Sequence, residues 1–118
     1  MTIRKAAAAL GAAILHDEFE DIELSGVYTS DLLSDVLAHA KFGNEHGGAL
    51  ITIQAHRNTV AVATVVNVSA IIICNSRSVP EDMLAAAKEH GIALMLTGEN
   101  QFTVSGKLYR LINNAVDY

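Results

Sequence analysis

The spacing of apolar residues in the first part of the chain predicts a helix followed by two short strands. Residues 2–11 are rich in alanine, which is the strongest helix former. Residues 12–16 form a short apolar stretch typical of a strand, and residues 22–28 alternate apolar and polar positions as strands do. The acidic segment between these two strands has the composition of a loop.

A helix with one apolar face is predicted for residues 32–40, where apolar side chains recur at intervals of three and four. Ser30 is placed to cap this helix, and Asp31 is placed to meet the positive end of its dipole. Gly43 stands where a helix stop is expected, and residues 41–48 have the glycine-rich composition of a loop.

In the second half of the chain, three apolar segments predict strands that are buried on both faces. They are residues 50–54, 70–74 and 92–96. The second lies in the continuous apolar run VSAIIIC, and the third is the run IALML. Residues 58–68 are ambiguous, because their valine content favours a strand whereas several of their apolar positions also fit one helical face.

Two further helices are predicted from capping and stop signals. Ser78 and Glu81 have the spacing of a capping box, Pro80 fits the first turn, and Gly91 fits the stop after residue 90. The last helix is entered near Thr103. Its apolar positions are Leu108, Leu111, Ile112 and Ala115.

This alternation of strands and helices predicts the fold class. Strands separated by helices are joined by right-handed crossovers, which place the strands parallel and cover both faces of the sheet. A chain of 118 residues has the length of one domain. We therefore predict a single compact α/β domain over residues 1–118, with a mostly parallel sheet flanked by helices.

The composition limits the classes of function that the chain can serve. Its formal net charge is −5 and its eight Lys and Arg residues are scattered, which argues against binding to nucleic acid or to an anionic membrane. No apolar run reaches the ~18 residues of a membrane span, so we expect a cytoplasmic protein. The single cysteine, Cys74, follows three isoleucines and is expected to be a core residue rather than a reactive thiol.

Several segments resemble, in order and spacing, the DRTGG domain and in particular the small stand-alone DRTGG proteins. They are YTSDLLSDVLAHA, ITIQAHRNTVAVA, SAIIICNSRSVPEDMLAAAKEHGIALMLT and QFTVSGKLY, and the resemblance covers about residues 1–112. The aspartate-arginine pair of the family's name corresponds here to His56 and Arg57. Its threonine-glycine-glycine segment corresponds to Cys74, Asn75 and Ser76.

The resemblance implies a compact α/β fold similar to the N-terminal domain of HPr kinase/phosphorylase, with residues 58–68 helical. It also implies a regulatory role, because DRTGG domains accompany catalytic domains in phosphotransacetylases and CBS-domain pyrophosphatases and are often dimeric. Stand-alone members are encoded near hydrogenase or signalling genes, which implies a partner in such a system.

Common catalytic and metal-binding motifs do not match the sequence. The pair Gly106-Lys107 lacks the other residues of a P-loop, the five histidines lack metal-ligand spacing, and no serine or histidine has the spacing of a triad. We therefore predict no catalytic residues, no metal and no cofactor.

Polar residues follow each predicted parallel strand, and they form the candidate ligand site. Ligands of open parallel sheets bind beyond the carboxyl ends of the strands, where these groups would converge. Arg57 offers bidentate contact with a phosphate or carboxylate, and His56 offers a pH-sensitive donor. The alternative is that the same groups cap helices and satisfy the loops. The candidate residues are Ser30, Asp31, His56, Arg57, Asn58, Asn75 and Thr97.

We expect a non-catalytic regulatory or sensory module that binds a small anionic metabolite or nucleotide, or a partner protein. A competing hypothesis is an interaction subunit of a hydrogenase-like redox enzyme system, without a ligand of its own. A third is a small enzyme acting on a phosphorylated compound. The mean hydropathy of +0.30 indicates apolar surface that needs a partner, and we expect a homodimer.

Overall fold

Five strands form one sheet in the part of the chain that the structure describes, residues 1–42 and 47–113 of a computed structural model. The order across the sheet is β1-β5-β4-β3-β2. All neighbouring strands pair in parallel except β1, which pairs antiparallel with β5 at one edge. The strands are β1 (Ala13–Ile14), β2 (Val27–Thr29), β3 (Gly48–Thr52), β4 (Val68–Ile73) and β5 (Ala93–Leu96).

The helices of the described residues cover both faces of this sheet. α1 and α5 pack on one face, and α2, α3 and α4 pack on the other. The predicted α/β fold with a mostly parallel sheet is therefore confirmed. None of these helices has the length and apolar character needed to cross a membrane. They are α1 (Ile3–Leu10), α2 (Leu33–His39), α3 (Arg57–Val65), α4 (Glu81–Glu89) and α5 (Gln101–Ile112).

Two hydrophobic cores, one on each face of the sheet, are filled by alternate side chains of the same strands. In β4, Ile72 enters the core beneath α1 and α5, whereas Ile71 and Ile73 enter the core beneath α2, α3 and α4. All three side chains are fully buried. Burial on both faces explains why the predicted strands read as unbroken apolar runs.

The ambiguous segment 58–68 is mostly helical, as the family resemblance implies, and its last residue opens β4. Helix α3 buries Val60 and Ala63 against the sheet and leaves Val65 exposed. The physical reason lies in the pairing of β3 with β4. Two parallel strands in the same sheet need a crossover connection between them, and α3 supplies it.

Several elements in the first half of the chain differ from the prediction, and β1 covers only Ala13–Ile14 of the strand predicted over residues 12–16. The strand predicted over residues 22–28 is shorter, because only β2 is a strand and Glu23 makes an isolated bridge with Thr2. The apolar stripe predicted for α2 is also wrong in part. Val36 is buried, whereas Leu32 and Leu37 are 64% and 44% exposed. The predicted stop at Gly43 lies outside the described residues.

The predicted roles of Ser30 and Asp31 in capping α2 are wrong. The helix begins at Leu33 after Leu32, and no side chain caps it. Ser30 Oγ instead accepts a hydrogen bond from the Leu32 N–H at 3.2 Å, which closes a local turn before the helix. The Asp31 carboxylate points to the neighbouring strand, because the donors there are stronger partners than a short helix dipole.

The capping box predicted for α4 is also absent. Pro80 is the N-cap residue rather than part of the first turn, and no side chain caps this helix. Glu81 and its neighbour Asp82 supply negative charge to the helix start instead. Helix α5 begins two residues earlier than expected, because the Asn100 side chain accepts a hydrogen bond from the Thr103 N–H at 2.9 Å. Ala115, a predicted apolar position of this helix, lies outside the described residues.

His16 is buried and joins the segment after β1 to the start of β5. Its Nδ1 atom accepts a hydrogen bond from the Glu18 N–H at 2.9 Å. Because Nδ1 accepts, the ring proton is on Nε2, which donates a hydrogen bond to the Ile92 carbonyl oxygen at 2.7 Å. This histidine is a structural residue of the sheet edge, not a surface residue.

Gly47 lies where the chain enters β3 with no room for a side chain. A Cβ atom there would collide with Ser69 Oγ and would stand 2.9 Å from the Asn67 carbonyl oxygen, which belongs to the backbone. We expect Gly47→Ala to lower the free energy of unfolding by about 1–3 kcal/mol through overpacking, measured by urea denaturation.

Gly106 provides the matched control, because a Cβ atom there meets nothing within 4 Å and the residue lies inside α5. Gly106→Ala is expected to raise the free energy of unfolding by about 0.5–1 kcal/mol, since alanine favours the helix. Equal effects of the two substitutions would contradict the close approach at Gly47.

Candidate functional site

The carboxyl ends of β2, β3, β4 and β5 lie along one edge of the sheet, because these strands are parallel neighbours. The segments that follow them are residues 30–32, 53–56, 74–80 and 97–100. We call these four segments the carboxyl edge. Six of the seven predicted ligand residues lie in them or directly after them. Asn58, the second residue of α3, stands next to the edge.

Asp31 joins three elements at this edge through one oxygen atom. Its Oδ1 accepts hydrogen bonds from Thr52 Oγ1 at 2.9 Å, from the Ile53 N–H at 2.8 Å and from Gln101 Nε2 at 2.9 Å. Gln54 Nε2 adds a bond to the Asp31 carbonyl oxygen at 3.0 Å. The segment after β2 is thereby fixed to the end of β3 and to the start of α5.

The turn after β4 has an uncommon backbone. Asn75 and Ser76 both lie in the left-handed region, with φ of 61° and 52°. Their N–H groups donate to the segment after β5, from Asn75 to the Glu99 carbonyl at 3.0 Å and from Ser76 to the Thr97 carbonyl at 2.9 Å. These bonds hold a conformation that costs non-glycine residues roughly 1–2 kcal/mol each.

These two residues stand at the positions that the resemblance assigns to the paired glycines of the family's name. Glycine adopts left-handed backbone without steric cost. In this chain the side chains differ but the backbone conformation that favours glycine is present. Left-handed non-glycine residues cluster at functional sites in folded proteins.

Cys74, which precedes this turn, is fully buried, so its prediction as a core residue is confirmed. Burial raises the pKa of the Cys74 thiol to about 11, and the carboxylates of Asp31 and Glu99 add to the increase. The thiol is therefore protonated at neutral pH and is a poor nucleophile. Glu99 itself forms an ion pair with Lys107 at 2.8 Å.

Four of the seven predicted ligand residues have structural hydrogen bonds. Those of Ser30 and Asp31 are described above. His56 is the N-cap of α3, and its Nδ1 accepts a hydrogen bond from the Asn58 N–H at 3.0 Å. Thr97 is buried, and its Oγ1 accepts from the Glu99 N–H at 3.2 Å. These four residues cap a helix or bond to loop backbone groups, which is the alternative to ligand binding that the sequence left open.

The other three, Arg57, Asn58 and Asn75, are exposed. Their side chains make no hydrogen bond or ion pair with any residue of the described ranges. The segments after β3 and β4 are neighbours, joined by the bond from the Cys74 N–H to the Thr52 carbonyl at 3.0 Å. Asn75 therefore lies in the segment next to the one that leads into Arg57 and Asn58. They are the predicted residues that remain available to a ligand.

Arg57 also lines a groove of about 410 Å³ between α3 and α4. The groove has a floor of small apolar side chains and carries three further titratable residues, which sequence reasoning missed. No local signal marks them, because they join Arg57 only through the packing of one helix on another. The lining residues are Arg57, Val60, Ala61, Asp82, Ala85, Ala86, Glu89 and His90.

Thr52 and Gln101, the side-chain partners of Asp31, were also missed. Each looks like an ordinary residue at the end of a strand or the start of a helix. Within residues 1–42 and 47–113, no group of three or more His, Cys, Asp and Glu side chains lies close enough to hold a metal ion.

Replacement of Ser76 by glycine tests the strain in the turn after β4. We expect Ser76→Gly to raise the free energy of unfolding by about 0.5–1 kcal/mol, because relief of the left-handed penalty exceeds the added entropy of the unfolded chain. Ser78→Gly is the control, since Ser78 is exposed and has no positive φ. A loss of stability in both variants, measured by thermal denaturation, would contradict the strained turn.

No protein-family model matches this sequence, and no curated protein does. Among solved structures, the chain is similar to the CBS and DRTGG domains of the regulatory region of Clostridium perfringens pyrophosphatase, in a complex with the activator diadenosine tetraphosphate. The TM-score is 0.67 and the sequence identity is 12%. The match covers 98% of this chain and 50% of the pyrophosphatase chain, so this chain spans about half of that regulatory region. At this identity the likeness is one of fold, and this chain has a DRTGG-like α/β fold.

Proposed function

We propose that this chain is a non-catalytic regulatory or sensory module of the DRTGG type. It binds a small anionic metabolite or nucleotide at the carboxyl edge, through Arg57, Asn58 and Asn75. The observation that carries the proposal is that these three exposed side chains have no partner in the described residues, at the edge where open parallel sheets bind ligands. The hydrogen bonds of Asp31 and His56 fix the backbone of the neighbouring segments at this edge.

The local charge favours an anion at the start of α3. No acidic residue lies in the first turn of that helix, whose N-terminal end carries partial positive charge. Arg57 adds a full positive charge and can hold two oxygen atoms of one phosphate or carboxylate. Helix α4 differs, because Glu81 and Asp82 occupy its first turn and repel an anion.

A role in regulation rather than catalysis has two supports. The single cysteine of the sequence, Cys74, is buried and its raised pKa keeps the thiol protonated. The pyrophosphatase structure of similar fold is a regulatory region, in a complex with an activator. A module that only binds a metabolite would transmit its effect through a partner chain or a second copy.

The outer surface of α5 supports a second candidate function, an interaction subunit of a larger enzyme system such as a redox complex. Phe102 and Tyr109 lie seven residues apart on this helix and are 86% and 64% exposed. Contiguous apolar surface on one helix face is typical of protein interaction sites, and these two side chains lie two turns apart on the same face. We propose that the same face joins two copies into a homodimer, which serves the regulatory function as well.

Ligand binding is tested by thermal denaturation with ATP, AMP, acetyl phosphate, NAD and diadenosine tetraphosphate. A ligand at a hundredfold excess over its Kd is expected to stabilise the protein by about 2.7 kcal/mol. Arg57→Gln should abolish this gain, because it removes the positive charge with which the proposed site holds the anion.

Arg110→Gln is the matched control, since Arg110 is exposed in the last turn of α5, on the opposite face of the sheet. It removes the same charge and should leave the ligand effect unchanged. If none of the five compounds stabilises the wild type, or if Arg57→Gln and Arg110→Gln respond alike, the proposed ligand site is wrong.

The homodimer is tested by size-exclusion chromatography with light scattering at micromolar concentration. The wild type is expected to elute as a dimer, and the double substitution Phe102→Ser and Tyr109→Ser is expected to yield a monomer with unchanged circular dichroism, because exposed residues contribute little to folding. A wild-type monomer would contradict the dimer and leave the α5 face to a different partner.

A further inference from the structure

The groove between α3 and α4 carries four titratable side chains that have no partner within the described residues. They are Arg57, Asp82, Glu89 and His90. The groove thus combines charges of both signs that are free to bind a ligand with polar groups of its own. The positions of these four side chains restrict the charge and the length of a ligand in the groove.

The groove has a direction, because α3 and α4 both follow parallel strands and therefore run side by side in the same sense. Arg57 and Asp82 begin their helices at the carboxyl edge, whereas Glu89 and His90 lie at the opposite end of α4. The seven residues from Asp82 to Glu89 span about 10 Å of helix. That distance is comparable to the span of a nucleoside 5′-phosphate from its phosphate to the far edge of its base.

Small apolar side chains form part of the lining of the groove. Val60 and Ala61 line it from α3, and Ala85 and Ala86 line it from α4. Such small apolar side chains leave room beside them for a ring. Apolar walls with a few polar groups at defined ends are typical of small-molecule sites.

The charges at the two ends restrict the ligand further. Arg57 can hold one phosphate at the carboxyl-edge end of the groove, where Asp82 also lies, and the Glu89 carboxylate disfavours a second anionic group at the other end. A carboxylate accepts hydrogen bonds but donates none, so Asp82 suits sugar hydroxyls and Glu89 suits an amino group. His90 adds a ring that can donate to or accept from the base.

From this order of groups, we propose that the groove between α3 and α4 binds a nucleoside 5′-monophosphate whose base carries an exocyclic amino group. The phosphate lies at Arg57, the ribose hydroxyls lie at Asp82, the ring lies on the alanine floor, and the amino group donates to Glu89. This inference rests on the proposed anion site at Arg57 and names the class of ligand that occupies it.

The test is isothermal titration calorimetry of the whole chain with three probes: AMP, IMP and ribose 5-phosphate. AMP has the amino group, IMP has a carbonyl in its place, and ribose 5-phosphate has no base. We expect AMP to bind about tenfold or more tightly than IMP, because the IMP carbonyl meets the Glu89 carboxylate without a donor between them. Ribose 5-phosphate is expected to bind more weakly than either nucleotide.

Two substitutions separate the groove from the edge. Glu89→Gln should remove the preference for AMP over IMP, because an amide both donates and accepts. Ala85→Leu should fill this part of the groove and weaken AMP about tenfold or more while leaving ribose 5-phosphate unchanged. Ala9→Leu is the control for added bulk, since Ala9 is exposed on α1 at the other face of the sheet.

The outcomes distinguish this inference from the proposed function. Equal affinity for all three probes, with no effect of Glu89→Gln or Ala85→Leu, would overturn the nucleotide groove and leave the anion site at Arg57 intact. Binding of a different anion, abolished by Arg57→Gln, with no binding of AMP would have the same meaning. Loss of AMP binding in Ala9→Leu equal to that in Ala85→Leu would also overturn the assignment.

Discussion

The parallel pairing of β3, β4 and β5, buried on both faces, is the constraint on which the rest of the molecule depends. Their N–H and C=O groups have no water to bind, so the strands must bond to each other in fixed register. Parallel strands in turn require crossovers, which place α3 and α4 side by side on one face. The carboxyl edge and the groove between these helices are both consequences of this pairing, and neither exists in any single segment of the chain.

The carboxyl edge combines fixed groups with free ones. Asp31 holds the ends of β3 and α5 through three hydrogen bonds, and the left-handed turn at Asn75 and Ser76 is bonded to the segment after β5. Arg57 and Asn58 project from the first turn of α3, and Asn75 projects from the turn after β4, so all three free side chains stand on backbone that is held by hydrogen bonds. A restrained site loses less conformational entropy when a ligand binds, which is an advantage for a module whose function is binding.

The distribution of charge gives the two proposals a common origin. Arg57 begins α3 without an acidic neighbour in its turn, whereas α4 begins with Glu81 and Asp82. The packing of these two helices brings Arg57 and Asp82 together at one end of the groove and places Glu89 at the other end. In the proposed site, the phosphate lies at Arg57 and the rest of the ligand presents donors and apolar surface. The exposed aromatic residues of α5 lie on the opposite face, so a partner there would leave this groove open.

The sequence by itself determined the α/β class and most of the elements, because apolar periodicity records which faces are buried, and β4 and β5 are buried on both. It could not decide residues 58–68, since short apolar segments fit a helix and a strand alike until the pairing of β3 with β4 requires a crossover. It also indicated that the polar residues of the carboxyl edge follow the strands, but it did not indicate the hydrogen-bond partners of those that are bonded. Asp31 is of a residue type that often caps helices, but its carboxylate accepts hydrogen bonds from β3 and the residue after it. The order of the strands decides which residues distant in sequence become hydrogen-bond partners. The groove with Asp82, Glu89 and His90 was decided by tertiary structure alone, because helix-on-helix packing brings together side chains that share no local pattern.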